Sequence, residues 1–265
     1  MGVINVTPDS FSDGGYFDTT EKAIEQARRL IQEGADILDI GGESTRPGSR
    51  SVGGDEELLR VMPVIEFALS MDIPVSVDTS KPEVMRATID AGVDLVNDIN
   101  ALRAPGALDV VADSAVMICL MHMQGKPETM QHNPQYSDVV AEVISFLEQR
   151  VAAAVSTGIE RERIIIDPGF GFGKTFEHNL MLLRGLDRLV STNFPVLAGL
   201  SRKSMLGTIT GNAVNDRVHA SVAAALLAVG QGARIIRVHD VKATRDAFSV
   251  FAAVNRIAPG FLLHL

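Results

Sequence analysis

Eight short apolar segments recur along the chain and alternate with segments of helical hydrophobic spacing. The apolar segments cover residues 2–6, 36–40, 74–78, 94–98, 115–120, 163–167, 195–198 and 234–238. They are rich in Val and Ile, as parallel strands buried on both faces are. Strands alternating with helices predict an α/β chain, and about eight such units close into a single (β/α)8 TIM-type barrel. A doubly wound open sheet is the alternative.

Two local signals predict where helices begin and end. Gly34, Gly92, Gly158 and Gly232 each stand just before a predicted strand, where a helix should stop. Ser80 and Glu83 have the spacing of a capping box, and Pro82 suits the first helical turn.

Composition limits the classes of protein that fit. The chain has 265 residues, 46% of them hydrophobic, which suffices for one domain over residues 1–265. A net charge of −9 argues against nucleic acid as a partner. The single cysteine, Cys119, excludes an internal disulfide and is expected to be a buried, inert thiol. Without a signal peptide or a membrane-length apolar run, we expect a cytoplasmic protein with no membrane partner.

Two loops are longer than an ordinary connection between strand and helix. Residues 7–18 and 41–54 are rich in Gly, Ser, Asp and Pro, and each follows a predicted strand. In a barrel both lie at the carboxyl end of the strands, where the active sites of such enzymes are found. We expect them to be mobile lids.

Polar residues cluster at the ends of the predicted strands. Because successive side chains alternate between the faces of a strand, Ser76 and Asp78 share one face, and Arg237 and His239 share another. The first, fourth and sixth strands end in the same way, at Asn5, Asn97 and Asp167. These side chains should point into the barrel mouth, with carboxylates deep inside and cations near the rim.

The residue types in this mouth suggest its ligand. Asp78 and Asp167 would need hydrogen-bond donors, which a flat heterocycle with amino and ring N–H groups supplies. A set of cations and a hydroxyl suits a diphosphate: Arg202, Lys203, Arg237 and His239, with Thr45 and Arg46 from the second loop. The alternatives are a pair of structural salt bridges at the two Asp residues and ordinary solvated surface positions for the Arg residues.

The glycine-rich stretch 169–175 resembles nucleotide-binding motifs but fits neither. Residue 168 is Pro where a phosphate loop requires its first Gly, and Lys174 replaces the third Gly of a dinucleotide motif. We expect the glycines to let the backbone approach a ligand, with Phe172 on that ligand or in the core. His122 is either structural or part of the pocket wall. No histidine spacing indicates zinc, so the metal compatible with the sequence is Mg²⁺ accompanying a diphosphate.

Several segments together resemble the dihydropteroate synthases. They are residues 1–15 (MGVINVTPDSFSDGG), 39–48 (DIGGESTRPG), 77–79, 96–98, 167–174 (DPGFGFGK), 199–204 (GLSRKS) and 237–240. These segments come in family order and span nearly the whole chain. The resemblance also implies a short segment before the first strand, often a hairpin under the barrel, which the sequence from Met1 onward lacks.

The resemblance assigns roles to individual residues. It implies that Asp78, Asn97, Asp167 and Lys203 bind a pterin ring, which Met117, Phe172, Gly199 and Arg237 line. It implies that Asn5, Thr45, Arg46, Arg237 and His239 hold the diphosphate, with Mg²⁺ on Asn5. Phe11, Pro47, Lys203 and Ser204 would border a p-aminobenzoate site, where sulfonamides compete in this family.

The resemblance further implies a transferase of folate biosynthesis that acts as a homodimer. Arg46, Arg237 and His239 would help diphosphate to leave, and Lys203 completes the predicted catalytic set. The arylamine of p-aminobenzoate would then attack the pterin methylene. Two alternatives stay open: a pterin-binding methyltransferase, which would not need Thr45, Arg46 and His239, and an inactive pterin-binding barrel.

Overall fold

The computed structural model describes residues 1–7, 16–44 and 51–255 and contains eight parallel strands within them. The strands are β1 (Gly2–Asn5), β2 (Leu38–Gly41), β3 (Val75–Asp78), β4 (Leu95–Asp98), β5 (Met117–Met121), β6 (Ile164–Asp167), β7 (Leu197–Ala198) and β8 (Ile235–Ile236). Each lies within about three residues of its predicted position, because the apolar Val- and Ile-rich runs mark the buried strands.

The strands close into a barrel. Strands β1 to β6 pair in sequence order, and β7 pairs with β8. Ile166 donates its N–H to the carbonyl of Pro195 at 3.0 Å, which joins β6 to the start of β7. Val3 donates to the carbonyl of Val238 at 3.0 Å, and Gly2 and Val238 form a parallel bridge that joins β8 to β1. The predicted TIM-type barrel is therefore confirmed, and the open-sheet alternative is excluded.

Ten helices of the described residues surround the barrel. They are α1 (Tyr16–Gln32), α2 (Gly54–Ser70), α3 (Pro82–Ala91), α4 (Ala107–Ala112), α5 (Val139–Ser156), α6 (Phe176–Arg184), α7 (Leu186–Val190), α8 (Ser204–Thr210), α9 (Val218–Gly230) and α10 (Val241–Asn255). No helix in this part of the chain is long and apolar enough to span a bilayer. Residues 8–15 and 45–50 of the two predicted lids, and the C-terminal residues 256–265, fall outside the described residues.

The predicted helix ends are partly right. Gly34, Gly92, Gly158 and Gly232 all have positive φ between 90° and 101°, a conformation that ends helices and that glycine adopts without strain. The capping box of Ser80 with Glu83 is wrong. Lys81 is the N-cap of α3, and the Ser80 hydroxyl donates instead to Asp98 on β4. The buried Asp98 carboxylate also accepts hydrogen bonds from the backbone N–H groups of Asn100 and Leu102. Because a buried carboxylate requires several donors, the Ser80 hydroxyl bonds to it rather than capping α3.

Side-chain alternation divides the strand residues into an outer core and a barrel interior. The outer core between strands and helices includes Ile4, Ile40, Val77 and Leu120. The interior floor is a second apolar cluster of Met1, Ile37, Leu95, Met117, Cys119, Ile165, Leu197 and Ile235. Cys119 is fully buried there, and burial raises the pKa of its thiol well above the usual value, which confirms an inert cysteine. A step of two residues along several of these strands leads from the floor to polar side chains.

Replacing Ile40 by Ala should lower the free energy of unfolding by about 2–5 kcal/mol, because a fully buried side chain between β2 and the helices leaves a cavity. Leu59→Ala on α2, where the side chain is 67% exposed, should change it by at most about 0.5 kcal/mol. Urea unfolding curves monitored by circular dichroism measure both changes in free energy. Equal effects of the two substitutions would contradict the assignment of Ile40 to the core.

Candidate active site

A cavity of about 790 Å³ opens at the carboxyl ends of the strands. Ten predicted site residues line it: Asn5, Asp78, Asn97, Asp167, Phe172, Gly199, Lys203, Ser204, Arg237 and His239. They come from β1, β3, β4, β6 and the segments that follow β6, β7 and β8. The alternation of side chains along the strands predicted Asn5, Asp78, Asn97, Asp167, Arg237 and His239. The other four residues were predicted from their loops or from the family resemblance. Phe11, Thr45, Arg46 and Pro47 lie outside the described residues.

Arg237 lies between two carboxylates at the bottom of the cavity. Its Nε donates to Asp39 Oδ2 at 2.6 Å, and a terminal nitrogen donates to Asp78 Oδ2 at 2.8 Å. These neighbouring carboxylates outweigh the effect of burial and raise the pKa of Arg237 beyond its usual value, so the guanidinium stays charged. The expectation that the cations lie near the rim is wrong for Arg237, because two buried carboxylates require a cation at their own depth.

Asp39 is a site residue that the sequence analysis missed. Its side chain is fully buried, and it accepts hydrogen bonds from Ser76 Oγ at 2.6 Å and from Arg237. Asn97 Nδ2 lies 3.3 and 3.4 Å from its two oxygens. The sequence contained a signal for this residue. Asp39 is a charged residue in an apolar strand, and alternation places it on the face opposite Leu38 and Ile40, which is the barrel interior.

The carboxylates of the cavity have shifted pKa values. Burial raises the pKa of Asp78 to about 7, although Arg237 opposes this shift. Burial also raises the pKa of Asp167 to about 6, opposed by the backbone N–H of Gly169, which donates to its Oδ1 at 2.7 Å. Both side chains can therefore change charge close to neutral pH, which is common at functional sites.

Lys203 and Phe172 form one wall. The Lys203 Nζ lies 4.3 Å from the centroid of the Phe172 ring, a cation–π contact. Burial and the nearby Arg237 lower the pKa of Lys203 to about 8. A cation and an aromatic face are thus available together for a planar ligand.

His239 and Arg202 differ from the predicted phosphate cations. Burial, with Arg237 and Arg202 nearby, lowers the pKa of His239 to about 4, so the ligand-free protein has a neutral imidazole at pH 7. Its Nδ1 lies 3.0 Å from Ser201 Oγ. Arg202 forms a two-point ion pair with Asp240 at 3.1 and 2.6 Å, although it still borders the cavity. Among the predicted cations that the structure describes, Arg237 and Lys203 are those whose charge acts on Asp78 or Asp167.

The glycine-rich loop after β6 is anchored from beneath. Lys174 Nζ is buried and donates to the carbonyls of Gly169 at 2.9 Å and Phe172 at 3.0 Å. It also lies 2.9 Å from His122 Nδ1. Burial and Lys174 lower the pKa of His122 to about 3, so its ring is neutral and can accept this hydrogen bond. His122 is thus structural, one of the two roles that the sequence left open.

The loop glycines make room chiefly for protein rather than for a ligand. A Cβ on Gly169 would lie 2.0 Å from the carbonyl oxygen of His122, and one on Gly173 would lie 2.4 Å from that of Gln124. Both have positive φ, at 67° and 62°. The expectation of close approach to a ligand is corrected at these two positions, because the loop packs against the backbone that follows β5.

Met117 does not occupy its predicted place. It begins β5 and packs on the apolar floor, whereas Met121, four residues further along the same face, lines the cavity. The predicted strand ended at residue 120, one residue too early, so Met121 fell outside it.

The start of the second long loop is fixed to two helices. Lys81 forms ion pairs with Glu43 and Glu57, and Arg60 donates to the carbonyl of Gly42 at 2.8 Å. The loop therefore leaves the barrel from a rigid base.

Comparison with known proteins identifies the family. The sequence model described as pterin binding enzyme matches residues 1–239. The chain is 50% identical to the dihydropteroate synthase of Haemophilus influenzae over 254 residues, which cover 96% of this chain and 92% of the relative.

Two solved structures are similar throughout. The Xanthomonas albilineans dihydropteroate synthase with 4-aminobenzoic acid has a TM-score of 0.91 and 55% identity, covering 97% of this chain and 93% of that one. The same enzyme in complex with 7,8-dihydropteroate has a TM-score of 0.88 and 52% identity, with the same coverage. This chain belongs to the pterin binding enzyme family, among the dihydropteroate synthases.

Proposed function

We propose that this chain transfers the 7,8-dihydropterin-6-ylmethyl group from 6-hydroxymethyl-7,8-dihydropterin diphosphate to p-aminobenzoate. The observation that carries the proposal is the pairing of buried carboxylates with charged nitrogen donors around one cavity, Asp78 and Asp167 with Arg237 and Lys203. One chamber thus offers acceptors for an amino heterocycle and donors for an anion.

The pterin ring binds across the cavity in this proposal. Asp78, Asn97 and Asp167 receive its N–H groups, and Lys203 donates to its acceptor edge. Phe172 and Met121 pack against its faces, and Gly199 leaves room for the ring. Ordered carboxylates placed before the substrate arrives stabilise positive charge without reorganisation.

The diphosphate binds toward Arg237, His239 and Asn5, with Thr45 and Arg46 joining from the second loop. The Ser201 hydroxyl, which accepts the main-chain N–H of His239 at 3.2 Å, directs its own hydrogen to Nδ1. The neutral imidazole then presents Nε2–H to an oxyanion. Arg237 contributes a permanent charge beside it.

The reaction replaces a C–O bond by a C–N bond at the pterin methylene. The methylene C–O bond breaks and its electron pair leaves with diphosphate, while Asp78 and Asp167 stabilise the electron-deficient pterin. The arylamine nitrogen forms the new C–N bond and releases one proton to solvent. Lys203 and Ser204, with Phe11 and Pro47, border the p-aminobenzoate, so catalysis consists of positioning and charge stabilisation.

Mg²⁺ fits this chamber as a companion of the diphosphate. Asn5 lines the cavity with an amide, whereas no cluster of three or more His, Cys, Asp or Glu side chains suited to a metal occurs in the described part of the chain. Mg²⁺ retains several waters and is often bound by few protein ligands plus phosphate oxygens. Bound there, it would neutralise charge on the leaving group.

The defining experiment measures diphosphate release. Calorimetry should show binding of the pterin diphosphate in the presence of Mg²⁺, and release should then require p-aminobenzoate. Arg237→Lys should lower kcat by about a hundredfold, since a single ammonium cannot bridge Asp39 and Asp78 and also reach diphosphate. Binding without release would favour an inactive pterin-binding barrel, and near-normal turnover in the variant would overturn the role of Arg237.

Pterin affinity should depend on pH in two limbs. Affinity should rise as Asp167 and Asp78, with pKa values of about 6 and about 7, lose their protons and become acceptors. It should fall above about pH 8 as Lys203 loses its charge. Calorimetry with diphosphate-free 6-hydroxymethyl-7,8-dihydropterin avoids titration of the ligand phosphate. Lys203→Met should abolish the alkaline limb alone, and a flat profile between about pH 5 and about pH 9 would contradict these assignments.

We also propose that the chain forms a homodimer through α9 and α10. Leu227, Val250 and Val254 on these packed helices are 59%, 65% and 74% exposed. Light scattering should give the mass of a dimer, and Leu227→Glu should halve it. Leu59→Glu on α2, a matched exposed site, should leave the mass unchanged. A monomeric wild type would refute the proposal.

A further inference from the structure

We propose that Asp39 is a positioning residue that selects ligands by fixing the amide of Asn97 with its oxygen toward the cavity. This inference rests on the proposed pterin pocket and extends it to a residue below the cavity wall. Asp39 is fully buried and reaches a ligand only through the side chains that it holds.

The orientation of Asn97 follows from the chemistry of its neighbour. An ionised carboxylate accepts hydrogen bonds and donates none, so Asn97 must turn Nδ2 toward Asp39. Asn97 lies on the interior face of β4, one residue before the strand ends. It is 4% exposed and lines the cavity. With one arm of the amide fixed below, the carbonyl oxygen is the arm left to receive a donor from the ligand.

The rest of the contacts of Asp39 make this orientation rigid. Ser76 Oγ donates to Oδ1 at 2.6 Å, and Arg237 Nε donates to Oδ2 at 2.6 Å. These two bonds come from β3 and from the end of β8, so the carboxylate is held from both sides of its own strand. Neighbouring hydrogen bonds in a buried network also strengthen one another.

A single change at position 39 releases the amide of Asn97 without changing the volume of the side chain. In Asp39→Asn, the new carbonyl oxygen can keep the bond from Arg237, while the new NH₂ turns toward Ser76 and Asn97. The NH₂ of Asn97, which lay between two acceptor oxygens, then faces one oxygen and one NH₂ group, so its amide is no longer fixed and can turn its own NH₂ toward the cavity. A ligand donor at this place would meet another donor, which costs affinity.

The test compares two rings of equal size in direct calorimetric titrations. One is 6-hydroxymethylpterin, with a 2-amino donor beside the N1 acceptor. The other is the 2-oxo ring 6-hydroxymethyllumazine, in which O2 accepts and N1–H donates. Wild type should prefer the 2-amino ring, and Asp39→Asn should reduce this preference about tenfold. Loss of the Asp167 contact to the 2-amino group affects both proteins equally and cancels in the ratio.

Asp98→Asn is the matched control. Asp98 is likewise a fully buried carboxylate at the end of β4, but it accepts from Ser80, Asn100 and Leu102. Its substitution should lower stability and leave the preference between the two rings unchanged. A merely structural role of Asp39 would give the same result in both variants, and an unaltered preference in folded Asp39→Asn would overturn the proposal.

A second variant covers the case in which Asp39→Asn fails to fold. Asn97→Leu removes the reversible amide at similar volume and should reduce the preference for the 2-amino ring to a similar extent. Full preference in this variant would also overturn the proposal. Failure of the wild type to bind either ring would instead refute the pterin pocket itself, so the two failures are distinguishable.

Discussion

The bridge of Arg237 between Asp39 and Asp78 is the interaction on which the rest of the site depends. Buried carboxylates are tolerated only when charge and hydrogen bonds compensate their loss of water, and Arg237 does this for two of them at once. The same bridge joins the end of β8 to β2 and β3 across the barrel interior. One side chain therefore both sets the charge of the site and connects β8 to β2 and β3.

The fold and much of the site were predictable because alternation along a strand is a local property of the sequence. Ile235 belongs to the apolar floor and Arg237, two residues later, to the polar layer; Leu95 and Asn97 repeat this step on β4, as do Ile165 and Asp167 on β6. The same rule fails when a boundary is wrong by one residue, as for Met121. The end of a strand depends on pairing with a neighbouring strand, as Met121 pairs with Asp167, and the local sequence of one strand does not show that pairing.

What the sequence could not reveal are pairings between residues that are distant along the chain. Lys174 anchors the loop after β6 through His122, 52 residues away, and Arg202 pairs with Asp240, 38 residues away. In the sequence alone, Lys174 resembles part of a nucleotide-binding motif and Arg202 resembles a surface cation. Only the closed barrel brings β5 beside β6, and the end of β7 beside that of β8. Ser80 illustrates the same effect, since a buried acceptor on a neighbouring strand outcompetes the local helix cap.

The chain carries net negative charge, yet its proposed substrate is a diphosphate, so attraction must come from a few cations in one place. Burial lowers the pKa of both cations at this place, but at Arg237 the neighbouring carboxylates outweigh it. Paired carboxylates raise the pKa of Arg237, whereas burial lowers that of Lys203 to about 8. Arg237 can therefore supply charge that no physiological pH removes, which suits a leaving diphosphate. Lys203 loses its charge at a lower pH than Arg237 and packs on Phe172. It therefore suits the neutral acceptor edge of a planar ring.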